Sequence, residues 1–220
     1  MSRWFVRPGL LAAGLSLLLA GDLPLGGAEA PRAAAGEEGD VVPVLVAYYT
    51  LSGNTQKMAQ GVAEGIARVG GAEAIVKPVG EIGREELEAA RGIVLGAPTY
   101  FANIPGQMKV ALDDWNWKLE VDFTDKVGGA FATGGGQTGG KEHVVTSLLL
   151  FMLSNRMIVA GPLYHNPETS SVWGEPGSSA MTGPLDPGVS ESQLDAARRL
   201  GERVARLAVR FARAPALENQ

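Results

Sequence analysis

The sequence predicts an α/β protein built on a doubly wound parallel sheet of five strands, folded as a single domain. Short apolar runs alternate along the chain with segments of helical periodicity. The first run, residues 42–49, is almost uninterrupted, which is typical of a strand buried on both faces of a parallel sheet. Polar or glycine-rich loops follow the first, third and fourth runs.

The individual elements follow from these patterns. Apolar runs predict strands at 42–49, 74–79, 92–97, 127–133 and 157–160. Apolar residues spaced three and four apart predict helices at 54–69, 84–90, 106–115, 141–154 and 189–211. Residues 162–188 are rich in Gly, Pro and Ser, so we expect a long loop there.

The N-terminus has the pattern of a secretory signal peptide. Two arginines precede an apolar run at 10–20 that is too short to span a bilayer comfortably. Ala28-Glu29-Ala30 has the small-x-small form of a cleavage site. We therefore expect residues 1–30 to be cleaved and the protein to be exported. An uncleaved N-terminal anchor is the main alternative, and translation from a later start would instead leave a cytoplasmic enzyme.

The remaining organisation is simple. Residues 31–40 are expected to form a flexible linker, residues 41–213 the folded domain and residues 214–220 a disordered tail.

The composition excludes several kinds of site. The chain has no cysteine, which excludes disulfides, thiolate metal sites and cysteine nucleophiles. It has two histidines, too few for a His-rich zinc site. The net charge of −5 argues against nucleic acid as a partner, because proteins that bind it usually carry a basic face.

Loop 1, residues 50–55, joins the first strand to the first helix. Its hydroxyls, its amide side chain and the free N–H groups of a helix N-terminus favour an anion. Gly53 can take a positive φ and let a ligand approach the backbone. The loop has no basic side chain, so neutral donors would hold a phosphate ester there. Such residues also cap helices, and the loop alone leaves both interpretations open.

Loop 2, residues 98–105, follows the third strand. Its adjacent aromatic residues, Tyr100 and Phe101, suit a flat ring system. Considered alone, they are better explained by ordinary packing over the edge of the sheet.

Loop 3, residues 133–140, follows the fourth strand and nearly matches a nucleotide-binding P-loop. Gly135, Gly140 and Lys141 satisfy G-x-x-x-x-G-K, but Glu142 stands where Ser or Thr must hold magnesium. We therefore reject the P-loop interpretation. The glycines instead let backbone N–H groups approach a ligand closely.

Three stretches of the chain, taken in order, resemble the flavodoxin-like NAD(P)H:quinone oxidoreductases, first named as tryptophan-repressor-binding proteins. They are VLVAYYTLSGNTQKMAQGVAEGI, GAPTYFANIPGQMKVALDD and FATGGGQTGGKEHVVTSLLLFMLSNRMIVAGPLY. The resemblance covers about residues 42–211, and its most specific piece is P-T-x-F-x-N-x-x-G-Q-M-K. It implies a flavodoxin-like fold with FMN bound by all three loops.

The resemblance also implies the reaction and the binding residues. NAD(P)H would give hydride to flavin N5, and the reduced flavin would pass two electrons to a quinone. Neighbouring subunits of a homodimer or homotetramer would complete the site. The implied FMN-binding residues are Thr50, Leu51, Ser52, Gly53, Asn54, Thr55, Pro98, Thr99, Tyr100, Phe101, Ala102, Asn103, Thr133, Gly134, Gly135, Gly136, Gln137, Gly139 and Asn155.

The chain departs from the family pattern at several positions. Ser52 stands where the family often has an aromatic residue that contacts the nicotinamide cofactor. Ser154 and Asn155 replace a histidine pair before the fifth strand. An insertion after the second strand is missing. The absence of an aromatic residue at Ser52 weakens the inference that the protein uses NAD(P)H more than the inference that it binds FMN.

Three further residues are candidates for the substrate side. Trp115 and Trp117 fall near a family tryptophan that faces the substrate, although Trp115 also continues the apolar stripe of its helix. His165 is a candidate proton donor to a reduced quinone.

The leading functional prediction is therefore an FMN-dependent NAD(P)H:quinone or flavin reductase. A flavodoxin-type electron carrier without NAD(P)H turnover is the main alternative. A cofactor-free binding module is the third, and the intact phosphate and ring loops argue against it.

Overall fold

The computed structural model describes residues 41–163, 175–183 and 185–214. Strand β1 (Val42–Tyr48) lies between β2 (Ala72–Pro78) and β3 (Gly92–Pro98), and β4 (Val127–Gly134) pairs with the other side of β3. All of these pairings are parallel. The strand order reverses between β1 and β3, so the switch point that usually binds ligands lies there.

Two short strands share the fifth position in the sheet. Strand β5 (Ile158–Val159) pairs with the first residues of β4, and β6 (Ser178–Met181) pairs with its last four, both in parallel. The expectation of a loop throughout 162–188 was therefore wrong. The sequence of β6, SSAM, has no β-branched residue to signal a strand. It pairs because the free edge of β4 offers its backbone groups as partners.

In the described part of the chain, five α-helices cover the two faces of the sheet. One core cluster joins residues of the first and last helices, and the other joins residues of the remaining three. The helices are α1 (Asn54–Ile66), α2 (Arg84–Ala89), α3 (Gly106–Trp117), α4 (Lys141–Ser154) and α5 (Glu191–Ala212), with one 3-10 turn at Val79–Glu81. The predicted helices and the first four strands are confirmed, with their ends moved by three residues or fewer.

Several predicted segments lie outside the described residues. They are the leader at 1–30, the linker at 31–40, His165 and residues 215–220 of the tail.

Helices α1 and α5 touch through a pair of glycines. A Cβ added to Gly65 would lie 1.9 Å from the carbonyl oxygen of Arg198, and one added to Gly201 would lie 2.0 Å from the carbonyl oxygen of Val62. No side chain larger than hydrogen fits at either point. This close approach fixes α1, and with it loop 1, against the last helix of the chain.

Replacement of Gly201 by alanine should therefore destabilise the domain. The new methyl group would force the backbones of α1 and α5 apart, which we expect to cost about 2 to 3 kcal/mol. Urea unfolding monitored by circular dichroism measures the difference. Gly70→Ala is the matched control, because a Cβ there meets nothing within 4 Å. Equal stabilities of the two variants would contradict the close contact.

Candidate functional site

The three loops meet at the carboxyl edge of the sheet because their strands run in parallel and in register. Tyr48 is paired with Gly96, and Pro98 with Thr133, at the ends of β1, β3 and β4. The pairing continues beyond the strands, since the N–H of Tyr49 donates to the carbonyl of Gly96 at 3.0 Å. The loops predicted to share a site are thus brought together.

Loop 1 presents an uncapped helix N-terminus. Helix α1 begins after Gly53, whose φ of 90° is left-handed, and no side chain of the described residues caps the first turn. The Thr50 hydroxyl instead accepts from the N–H of Gly53 at 3.0 Å. A Cβ added to Gly53 would meet nothing within 4 Å, so there is open space beside it. The geometry favours the anion-binding interpretation of this loop over helix capping.

A buried pair of hydroxyls ties loop 1 to the end of β4. Thr55 and Thr133 are both buried, and their Oγ1 atoms lie 2.8 Å apart. Each hydroxyl supplies the partner that the other needs inside the protein. The distance between the first and third loops is therefore set by a specific hydrogen bond.

Loop 2 contains a two-residue turn with an unusual backbone. Tyr100 and Asn103 exchange both backbone hydrogen bonds, at 2.9 and 3.0 Å. Between them Phe101 and Ala102 have φ values of 50° and 61°, as in a type I′ turn. Residues other than glycine are strained there, and such strain is concentrated at functional sites.

The turn separates the two aromatic side chains. Tyr100 packs edge-on against Tyr49, with ring centroids 6.3 Å apart. Desolvation, and secondarily Tyr49, raise the pKa of Tyr100 above its ordinary value. Phe101 is fully exposed at the tip. Ordinary packing thus explains the first aromatic residue but not the second.

Loop 3 is held by the lysine that made it look like a P-loop. Lys141 is buried, and its Nζ donates to the carbonyls of Gly136 at 2.8 Å and Gln137 at 3.0 Å. Its charge therefore neutralises carbonyl dipoles within the loop. The rejection of a P-loop agrees with this geometry.

Loops 2 and 3 also touch each other. Gly140 has a φ of 98°, and a Cβ there would lie 2.7 Å from the Cα of Ala102. Only glycine allows this approach, so the turn of loop 2 rests on the start of α4.

Thr99 carries a buried hydroxyl that is free to pair with a ligand. Its Oγ1 is buried and has no hydrogen-bond partner among the described residues. This oxygen would lie 3.2 Å from a Cβ added to Gly134, so it faces the start of the glycine loop. Buried polar atoms without partners are rare in native proteins. The residues present fit FMN, because loop 1 offers neutral donors of the kind that bind a phosphate and the Thr99 hydroxyl beside loop 3 could pair with a polar ring edge.

The structure does not bring every predicted residue to this edge. Asn155 ends α4, where its amide donates to the carbonyl of Phe151 at 2.9 Å. The next residue, Arg156, accepts from the N–H of Asp125, just before β4 begins. Asn155 therefore lies toward the opposite edge of the sheet.

The two tryptophans differ in environment. Trp115 is 2% exposed and packs near Phe123, with ring centroids 6.4 Å apart, whereas Trp117 is 82% exposed. Trp115 also lines a cleft of about 1120 Å³ that runs from loop 1 along α3, beside the 3-10 turn after β2. Its place in the core agrees with the apolar stripe that the sequence shows.

One residue at the site was missed in the sequence. The carboxylate of Asp186, in the loop before α5, accepts from the Asn54 amide at 2.8 Å. The sequence places an Asp-Pro-Gly turn there, but no local pattern relates it to a loop 132 residues away.

The fold and these loops define a flavodoxin-like protein, and comparisons with known proteins agree. The model of the family described as NADPH-dependent FMN reductase matches residues 79–168. An NAD(P)H dehydrogenase (quinone) of Geotalea uraniireducens is 33% identical over 206 residues, covering 77% of this chain and 99% of that protein. One from Syntrophobacter fumaroxidans is 31% identical, covering 77% and 98%. A flavodoxin of Aquifex aeolicus is 33% identical, covering 74% and 84%.

Solved structures also show similarity to flavodoxin-like proteins. A WrbA-like flavodoxin from Agrobacterium tumefaciens is 25% identical and has a TM-score of 0.59, with 77% of this chain and 98% of that chain covered. An archaeal flavodoxin at 21% identity has a TM-score of 0.60, covers 76% and 99%, and supports the fold alone. The chain belongs to the flavodoxin-like NAD(P)H dehydrogenase (quinone) family, and the family predicted from the sequence is confirmed.

The prediction of an exported protein is wrong on these findings. It depended on residues 1–30, which lie outside the described residues. Within the described part of the chain, no helix combines the length and apolar character needed to cross a membrane. The first two relatives are matched over 99% and 98% of their own length, and each match covers 77% of this chain. The family match therefore gives the prediction of export no support.

Replacement of Lys141 by methionine tests how loop 3 is held. The carbonyls of Gly136 and Gln137 would lose their charged donor, and a hydrogen bond to a charged group contributes about 1.5 kcal/mol or more. We expect the amides of residues 134–140 to exchange with deuterium about tenfold faster, as mass spectrometry can measure. Lys109→Met, which removes an exposed ion pair on α3, is the control. Unchanged exchange in loop 3 would refute the anchoring role.

Proposed function

We propose that this protein is an FMN-dependent NAD(P)H:quinone oxidoreductase. The observation that carries the proposal is the partnerless hydroxyl of Thr99, facing a glycine loop beside an uncapped helix N-terminus. These features provide separate polar contacts for a ring edge and for a phosphate. Membership in a family of NAD(P)H dehydrogenases (quinone) supports the choice of donor and acceptor.

The chain's own groups bind and orient the cofactor. Loop 1 would hold the phosphate through the N–H groups of the first turn of α1 and the hydroxyls of Thr50 and Ser52. Thr99 and the backbone N–H groups of residues 134–139 would contact the polar edge of the ring. Bound FMN supplies two-electron chemistry, between a hydride donor and a quinone. Donor N–H groups at that edge favour the negative charge of the reduced state.

A flavodoxin-type electron carrier is the second candidate. The relative from Aquifex aeolicus, named a flavodoxin, is the observation that favours it. Ser52 also favours it, because this position offers no aromatic ring to a nicotinamide. The two candidates share a cofactor and differ only in turnover with NAD(P)H.

An absorbance titration with FMN, followed by NADH or NADPH and a water-soluble quinone, tests the proposal. We expect flavin bands that bleach with the nicotinamide donor and return with the quinone. Bands that appear but do not bleach would indicate the carrier. Protein that takes up no FMN would refute both.

The same titration with the Thr99→Val variant tests whether the Thr99 hydroxyl contributes to FMN binding. Valine keeps the shape of threonine but lacks the hydroxyl, so we expect FMN affinity to fall about fivefold to twentyfold. The stability of the free protein should not fall, because the hydroxyl has no partner among the described residues. Thr146→Val on the exposed face of α4 is the control. Loss of stability without loss of FMN affinity would assign Thr99 a structural role.

We also propose that a second copy of the chain covers this edge. Leu51, Phe101 and Leu185 are 79%, 104% and 93% exposed, and all three lie in loops around the site. Large apolar side chains grouped in this way are typical of surfaces that bind another protein. A partner subunit would shield both the ring and these side chains from water.

Phe101→Asn tests this assembly. Asparagine tolerates the positive φ at this position, so the turn should survive while the apolar contact is lost. Light scattering after size exclusion should show the wild type as a dimer or tetramer and the variant shifted toward monomer. Leu150→Gln, on the exposed surface of α4, should leave the mass unchanged. A monomeric wild type would contradict the proposal.

A further inference from the structure

The segment between β6 and α5 reaches across the site to loop 1. The Asp186 carboxylate accepts from the Asn54 amide at 2.8 Å, and the carbonyl of Val189 accepts from Lys57 Nζ at 3.2 Å. The same segment is joined to loop 3, because the N–H of Thr182 donates to the carbonyl of Gly134 at 2.9 Å. Residues 182–183 and 185–189 thus contact both ends of the candidate cofactor site.

This segment places the carboxylate of Asp186 beside loop 1, the candidate site for a phosphate. Loop 1 contains no charged residue of its own. The Asn54 amide, which also donates to the Ser52 hydroxyl at 3.1 Å, is turned toward Asp186. The nearby cation, Lys57, is directed to a backbone carbonyl. A phosphate at loop 1 would therefore meet the field of a carboxylate that is bound to one of the loop's own donors.

The position of Asp186 is imposed by its backbone. Its φ of 46° is left-handed, and Gly183 and Gly188 on either side have φ values of 67° and 79°. The N–H of Asp186 donates to the carbonyl of Gly183 at 3.3 Å. Aspartate is among the few residues that accept this conformation readily. The turn therefore aims the side chain at Asn54.

We propose that Asp186 weakens the binding of the FMN phosphate and so keeps the flavin exchangeable. This inference rests on the proposed function, because it concerns the same cofactor. A carboxylate and a phosphate near one another in partly exposed surroundings repel each other, which should lower affinity about threefold to thirtyfold. The repulsion acts on the phosphate and not on the ring. Riboflavin lacks the phosphate, so Asp186 should not lower its affinity.

Two substitutions separate charge from hydrogen bonding. Asp186→Asn removes the charge, keeps an oxygen that can accept from Asn54, and tolerates the left-handed backbone. Asp186→Gly removes both the charge and the acceptor without straining the backbone. Asp125→Asn is the matched control, since Asp125 is also exposed with a positive φ, of 62°, but precedes β4 at the opposite edge of the sheet.

The measurement is the dissociation constant of FMN and of riboflavin for each full-length protein, by quenching of flavin fluorescence. We expect Asp186→Asn to bind FMN about threefold to thirtyfold more tightly and riboflavin as the wild type does. Asp186→Gly should also bind FMN more tightly than the wild type, and Asp125→Asn should not.

Each other outcome has a definite meaning. Unchanged or weaker FMN binding by Asp186→Asn would overturn the inference and leave the proposed function standing. Weaker binding of both flavins by Asp186→Gly, with Asp186→Asn unchanged, would show that the residue only positions Asn54 and would also overturn it. Wild-type protein that binds neither flavin would overturn both this inference and the proposed function.

Discussion

The whole site depends on the parallel register of β1, β3 and β4. Because the three strands run in one direction and their last paired residues lie within two residues of one another in the pairing register, their following loops emerge at one edge. The sheet is buried on both faces by helices, so a slip of register would disturb the packing of every strand. The glycine contact of α1 with α5 extends this constraint to loop 1. Loop geometry is thus a consequence of core packing.

The electrostatics of the site are more unusual than its fold. Charged side chains lie beside the loops, yet among the described residues Lys57 and Lys141 are directed to backbone carbonyls and not to the N-terminus of α1. Lys141 is directed into loop 3, Lys57 to a backbone carbonyl, and Asp186 onto the amide of Asn54. Backbone N–H groups and hydroxyls remain as the donors. A phosphate bound by such donors would be recognised by shape and hydrogen bonding rather than by a cationic side chain.

Much of this was accessible from the sequence because it depends on local patterns. Apolar runs that alternate with helical periodicity predicted the order of the elements. The positions of the three loops, each directly after a parallel strand, predicted that the loops meet at one edge of the sheet. The predictions that failed or lacked a signal depend on distant partners. Strand β6 forms because β4 offers a free edge, and Asp186 reaches loop 1 across 132 residues. Export was inferred from a leader alone, without any support from the folded part.

The sequence by itself determined the fold class and the family, and it predicted three loops at one edge of the sheet, since each follows from residue patterns within a short window. Only the tertiary structure decided what each polar group in those loops does. It showed that the N-cap of α1 is a glycine, that Lys141 stabilises its own loop and that the Thr99 hydroxyl has no partner among the described residues. A hydrogen bond requires both partners to be placed in space, and in these loops that placement is set by the packed strands and helices around them.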